Sequence, residues 1–332
     1  MMNGRHARQI ILPEVDTDGQ ERLQQAVVGI VGAGGLGSVA AELLTRAGVG
    51  RLIILDYDLV ELSNLQRQSL YAEADVGKPK ALAAKAHLAA IDSDVRVDAF
   101  VKQLNARTAA LLEDAELVLD CTDNLQTRFL LNEWCMKRKV PFVYTGAVGT
   151  RGMLYVTDPT RNGRACFACI FDKLKAFENC EDAGVLNVTV HLAATLQTAE
   201  ALKLILDKPS TEELVSFDAW DLRLERFKVK KNDSCAVCAG RYDRLAGKGP
   251  AIEFCVTKRC VKARPSAEIG LDLERIRKSA DVTVLEDYGE NGVRVVVDGI
   301  EVLIYPHGGM ELGTKDHDLA RRISEKVYAL GR

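Results

Sequence analysis

Residues 27–38, VVGIVGAGGLGS, decide the fold. A β-branched run ends in Gly32-Ala33-Gly34-Gly35-Leu36-Gly37 and passes directly into the helical pattern LGSVAAELLTRAG. Glycines at these positions let the backbone approach a phosphate group at a helix N-terminus, where free N–H groups and the helix dipole favour anions. Asp56 ends the next β-branched run, RLIILD, where a carboxylate would bind ribose hydroxyls. The loop alone leaves NAD, FAD, SAM and ATP open as ligands.

Outward from that loop the alternation continues. AVVGIV, RLIILD, VRVDAF, ELVLDC and PFVYTG read as strands, with LGSVAAELLTRAG, KPKALAAKAHLAAI, ARTAALLED and NLQTRFLLNEWCMKRK as helices between them. Strands and helices alternating with short links predict an α/β fold, a Rossmann-like sheet covered on both faces. After residue 150 the rhythm changes: GMLYVTD is a strand, a loop-rich crossover follows, residues 185–206 form one long helix, and ELVSFDAW and LRLERFKVKK lie at hairpin distance. An antiparallel extension of the same sheet is expected. A glycine-rich basic stretch, CAGRYDRLAGKGP, reads as a linker to a small α+β domain with the order strand, helix, strand, strand, helix. The expected domains are therefore 1–245 and 251–332.

At 332 residues the chain exceeds what one core usually fills, in keeping with a large domain plus an appendage. With 44 Lys+Arg against 47 Asp+Glu it offers no large basic field, so neither nucleic acid nor a membrane is an expected partner. Charges occupy the N-terminal MMNGRHARQI where a secretory signal needs an apolar run, which points to the cytoplasm. The nine cysteines are an odd count, and four form two C-x-x-C pairs, a pattern of metal or redox chemistry in a reducing compartment.

Three groups of residues narrow the chemistry. SNLQRQ places Ser63, Asn64, Arg67 and Gln68 shortly after Asp56 and Asp58, and VGKPK places Lys80 at a helix start. Asp123 and Asn124 follow ELVLDC at the carboxyl edge, where ligands of open α/β sheets collect. Two cations and an acid suit ATP with Mg²⁺ held by Asp123, whereas a nicotinamide-dependent oxidoreductase would leave Arg67, Lys80 and Asp123 without a task. Cys166-x-x-Cys169 with Cys235-x-x-Cys238 would close a structural Zn²⁺ knuckle. The five histidines pair with no nucleophile, and Cys121, Cys135, Trp134 and Trp220 read as packing residues.

The order of these motifs resembles the ThiF/MoeB/HesA adenylyltransferase family, relatives of ubiquitin-activating enzymes. The resemblance covers residues 5 to about 240 and runs through R-x-x-R-Q (Arg5, Arg8, Gln9), GAGGLG, LDYD, SNLQRQ, VGKPK, CTDN, C-x-x-C, CEDAGV, AEALK and a final C-x-x-C. It implies ATP-dependent adenylation of the C-terminal glycine of a small ubiquitin-like or sulfur-carrier protein ending in Gly-Gly. It also implies a homodimer in which Arg8 reaches the partner's nucleotide, and a catalytic set of Arg8, Arg67, Lys80, Asp123 and Cys180. Cys180 could take the activated carrier as a thioester, for delivery to a sulfurtransferase or a conjugating enzyme; its acidic neighbours do not favour a thiolate. The tail distantly resembles a small C-terminal module of some members through IYPHGGMELGTKDHDLARRI (304–323), which suggests docking of a carrier or acceptor.

Overall fold

Strand β1 (Val27–Val31) lies inside an eight-stranded sheet, flanked by β2 (Arg51–Leu55) and β4 (Leu117–Asp120), both parallel to it. Four of its five residues are buried, because a parallel strand covered on both faces needs apolar side chains on both. β3 (Arg96–Phe100) closes that edge, and β5 (Phe142–Val148) continues the parallel set beyond β4. The chain then reverses into β6 (Arg151–Thr157), β7 (Glu213–Asp218) and β8 (Arg223–Lys228), each antiparallel to the strand before it. The order β3-β2-β1-β4-β5-β6-β7-β8 is the mixed sheet expected from the sequence, parallel in one half and antiparallel in the other.

The computed structural model describes residues 4–161, 163–171, 184–248, 252–256, 260–265 and 268–332. Two units emerge: Met1–Leu104 with Thr108–Leu245, and Asn105–Arg107 with Ala246–Arg332. In the first unit, α1 (Ala7–Ile10) and α2 (Asp16–Gln25) precede the sheet. One sheet face carries α3 (Gly35–Ala47), α4 (Lys80–Ile91) and α7 (Asn187–Ile205), with Ile30, Leu44, Leu52, Val143 and Ala194 in a shared core. The other carries α5 (Leu125–Arg138) and the short α6 (Phe167–Phe171), packed with Ile53, Val118, Leu131 and Phe142. Burying each large aliphatic side chain of this kind contributes roughly 1.5–3 kcal/mol. Among the described residues no helix is long and apolar enough to cross a membrane.

Two readings are corrected here. ARTAALLED forms only the 3-10 turn Thr108–Leu112, which buries Ala109 and Leu112 and then stops; such geometry rarely extends past one turn. Trp134 is buried as expected, but Trp220 is 74% exposed, in the turn joining β7 to β8.

The second unit is a six-stranded sheet of order β11-β12-β13-β14-β10-β9 with helices α8 (Leu273–Arg277) and α9 (His317–Gly331). Its strands are β9 (Ile252–Val256), β10 (Val261–Pro265), β11 (Val282–Asp287), β12 (Val293–Val297), β13 (Ile300–Ile304) and β14 (Met310–Leu312). Val293, Val295, Val302, Ile304, Ile323 and Val327 form its core. This is the α+β type expected, with three more strands than the sequence suggests. β11 escapes because an exposed edge strand tolerates Thr, Glu and Asp, and β14 because it is only three residues long.

Helix α7 is pinned to the sheet by one buried amide. Gln197 Nε2 donates to the carbonyls of Asp120 and Val143, each at 2.8 Å, and its Oε1 accepts from the Cys121 thiol at 3.4 Å. Gln197→Leu keeps the volume and removes all three bonds. We expect it to lower stability by about 1–3 kcal/mol, seen as a lower urea midpoint at unchanged slope.

Candidate active site

β1 ends in a turn that glycine alone fits. Gly32 has φ +91°, and a Cβ there would stand 2.6 Å from the Cys121 carbonyl oxygen, while one on Gly37 would collide with the Gly32 carbonyl oxygen. The turn delivers Gly34, Gly35 and Gly37 to the start of α3, where Gly34 is the cap and supplies no side-chain acceptor to the first-turn N–H groups. A ligand anion can take that role. Tyr71 anchors the turn, donating its hydroxyl to the Ala33 carbonyl at 2.7 Å. Gln68 is buried beside Gly34, and its Oε1 has no hydrogen-bond partner among the described residues. A buried acceptor left open beside a glycine cradle matches a donor on a bound molecule.

The acids after β2 complete one wall. Asp56 Oδ2 accepts from the Ala33 N–H at 2.6 Å and Oδ1 from the Asp58 N–H at 2.7 Å, so the carboxylate bridges the glycine turn and the next loop. Burial, reinforced by the Asp58 charge, pushes the Asp56 carboxyl up to about 6, against the pull of Lys80 and the two N–H donors. Lys80, in the first turn of α4, is buried and sets its Nζ 3.0 Å from Asp58 Oδ2. Arg67 borders the same turn: a Cβ on Gly35 would come within 3.6 Å of its Cγ, and its guanidinium donates to the Ser63 carbonyl at 3.3 Å. Asn64 is buried and donates to the hydroxyl of Ser63, which is exposed.

A third wall follows β4. Asp120 is fully buried, and burial raises its carboxyl pKa while Arg128 opposes the rise. The Arg128 guanidinium lies 3.3 Å from Asp120 Oδ2, donates to the Thr122 carbonyl at 2.6 Å and sits over the Tyr144 ring. Thr122 bonds Asp120 Oδ1 through both its N–H and its hydroxyl. Asn124 caps α5, its Oδ1 accepting from the Thr127 N–H at 2.8 Å. Asp123 stands exposed between them on this braced loop, at the carboxyl end of β4. Its exposed carboxylate is a hard oxygen donor of the kind Mg²⁺ takes.

The glycine loop, Asp56, Asp58, Lys80, Arg67 and Gln68 thus form one cradle, with the Asp123 loop at the end of the neighbouring strand. Arg8 is elsewhere. It is exposed on α1, whose Gln9 bonds the Ala47 carbonyl at the far end of α3, roughly 20 Å along that helix from the glycine turn. Cys180 lies outside the described residues. Sequence reasoning missed Tyr71, Asp120 and Arg128; only an arginine four residues beyond a cap, after a strand ending in Asp, hinted at the last two.

The four cysteines converge. Their sulfurs all lie within 4.8 Å of one another, with Cys166–Cys169 at 3.8 Å, Cys166–Cys235 at 3.7 Å, Cys166–Cys238 at 3.6 Å and Cys169–Cys238 at 3.5 Å. A tetrahedron of sulfurs about 2.3 Å from zinc has edges of about 3.8 Å, which these four separations match. The hydrogen bond between Cys166 and Cys169 sets the two apart: Cys169 is lowered to about 4, while Cys166 is raised. Held as four thiolates at this spacing, the cluster would need a cation among them. All four ligands are protein sulfurs, which suits a closed structural site.

Residues 6–237 match the ThiF family. The ThiS adenylyltransferase of Bacillus subtilis is 39% identical over 245 residues, which cover 71% of this chain and 72% of that protein. The molybdopterin-synthase adenylyltransferase of Escherichia coli is 40% identical over 240 residues, covering 70% of this chain and 95% of the relative. Among solved structures, Escherichia coli MccB shares the fold with a TM-score of 0.63 at 21% identity, over 70% of this chain and 72% of that one. A glycine cradle, a paired-acid wall and a four-cysteine cluster, within a match covering most of the first unit, have one reading: the chain belongs to the ThiF family.

Proposed function

We propose that this chain uses ATP to adenylate the C-terminal glycine of a small ubiquitin-like or sulfur-carrier protein ending in Gly-Gly. One observation carries the reading: the carboxyl ends of β1, β2 and β4 bring together a glycine cradle, the Asp56, Asp58 and Lys80 group, and the braced Asp123 loop. Residues 1–245 serve as the adenylation domain, and residues 251–332 as a separate module that receives the carrier or a later acceptor. Two chains pair, and Arg8, fastened away from its own cradle, serves the partner's nucleotide.

A C-terminal carboxylate has a pKa near 3.5, so it is ionised at neutral pH and needs no general base. Its oxygen forms a bond to the α-phosphorus as the bond to the bridging oxygen breaks, and pyrophosphate leaves with the electron pair. The obstacle is an anion approaching a polyanion. Arg67, Lys80 and Arg8 supply positive charge to that transition state, Asn64 and Gln68 orient phosphate oxygens through their amide N–H groups, and Asp56 takes the ribose hydroxyls. Magnesium held by Asp123 would neutralise the departing pyrophosphate. Zinc held by Cys166, Cys169, Cys235 and Cys238 would tie the crossover to the end of the sheet without touching the reacting atoms. A thioester at Cys180 is a later step, separable from adenylation.

ATP–pyrophosphate exchange that requires the carrier tests the reaction. Asp123→Ala should lower the exchange roughly 100- to 1,000-fold; a rate within threefold of wild type would remove Asp123 from the chemistry.

The raised Asp56 pKa sets a pH dependence. A protonated carboxyl is a weaker acceptor for a ribose hydroxyl than the carboxylate, so affinity for adenosine, which has no phosphate to titrate, should be flat above about pH 7. Below about pH 6 it should fall, approaching tenfold per pH unit at most. Asp56→Asn should bind adenosine weakly at every pH, with no slope; calorimetric titration reads both.

Zinc should be stoichiometric with the chain. Cys238→Ser should lose it together with thermal stability, as elemental analysis and a melting curve would record. Full zinc retained by that variant would show that the ligands are wrongly assigned.

A further inference from the structure

Asn132 lies on α5 with no solvent exposure, and its neighbours dictate how its amide is oriented. The Phe167 backbone N–H donates to Oδ1 at 3.0 Å; because a backbone N–H can only donate, the oxygen must face it and the NH₂ must face the other way. There it meets Cys166 Sγ at 3.6 Å. The next residue on the helix, Glu133, is also buried and holds the segment that follows Cys238. Its Oε2 accepts from the Leu245 N–H at 3.0 Å, and Arg244, stacked over the Phe129 ring, lies 3.6 Å from Oε1. Two adjacent buried polar residues of one helix therefore grip both cysteine-bearing segments. Apolar packing of α5 gives no reason for an amide and a carboxylate in these places, since burying either is costly unless it is bonded.

We infer that Asn132 is a positioning residue of the four-cysteine metal centre, donating an N–H···S hydrogen bond to the Cys166 thiolate. Through it, metal occupancy sets the position of α5 and of the loop of residues 122–124 at that helix's start. A metal-bound thiolate retains negative charge, and outer hydrogen-bond donors orient such ligands and tune their hold on the ion. The lever is short: Asn124, the cap, and Asn132 are about 12 Å apart along a continuous helix. Arg128 and Asn124 fasten that end to Thr122 and Thr127. The claim about Cys166 rests on the cysteine geometry alone, whereas its consequence for Asp123 rests on the functional reading above.

The test uses the intact chain loaded with cobalt(II), whose thiolate-to-metal charge-transfer band reports electron density on the sulfurs. Asn132→Leu removes the amide at similar volume; Asn132→Asp keeps an acceptor for the Phe167 N–H and removes the donor to sulfur. Both should move the band to lower energy, because the hydrogen bond stabilises the lone pair from which charge is transferred. Both should also lose metal to a chelator with an affinity roughly 10- to 100-fold weaker than wild type. Amide hydrogen exchange across residues 122–127 should rise in both variants with metal still bound, and in wild type once stripped of metal. A band unmoved in both variants overturns the role of Asn132, even if activity falls. Exchange unchanged on stripping the wild type overturns the coupling. Failure of wild type to take up cobalt overturns the metal centre itself and leaves the adenylation reading standing. If the Leu variant does not fold, the Asp variant decides the same points.

Discussion

Asp120 carries a carboxylate at the end of a central strand with no access to water, and the arrangement of the carboxyl edge follows from compensating it. Leaving such a charge without its partner costs roughly 3–5 kcal/mol, a large share of the roughly 5–15 kcal/mol by which a domain is stable. Arg128 supplies the opposite charge from α5, and Thr122 covers the other oxygen with its N–H and hydroxyl. The same guanidinium holds the Thr122 carbonyl, so β4, the loop bearing Asp123 and the start of α5 are fixed to one another. Gln197 reaches that edge from the opposite face of the sheet and bonds the Asp120 carbonyl. Both helical layers are thus registered on one strand end.

The cradle beside it is built on a different balance. One buried ammonium, Lys80, serves two carboxylates and pairs with Asp58, while burial and then the Asp58 charge raise the Asp56 carboxyl against its pull. The two backbone N–H groups on Asp56 keep it in place whichever form it takes. In the function proposed above, a polyphosphate entering the site would meet carboxylates as well as cations, which is the electrostatic task assigned there to Arg67 and a divalent ion. Tyr71 and the glycines shape the turn, and the charged groups line it.

The C-x-x-C pairs bridge chain segments that flank the long helix α7, one after β6 and one after β8. Holding them together ties the antiparallel half of the sheet to α5, the helix that also frames the Asp123 loop. The four-cysteine cluster and the carboxyl edge of the sheet therefore share a scaffold element.

Much of this was legible in the residues. The glycine turn, the strands on either side of it, the reversal after β5 and the two cysteine knuckles are local features, in which period, backbone conformation or ligand chemistry is carried within a dozen residues. Arg67, Gln68, Asp56, Asp58 and Lys80 were found by their place after strands and before a helix, and the structure brings them together. Partners distant in sequence were not legible. Gln197 bonds residues 77 and 54 positions away, and nothing in its neighbourhood distinguishes it from any polar residue on a helix. Tyr71, Asn132 and Arg128 are likewise defined by what burial brings beside them, and Trp220 by its exposed place in a turn. Local sequence determined the elements and the chemical types at the site; the tertiary structure decided which polar groups are desolvated together, because the cost of burying them exists only once the layers have packed.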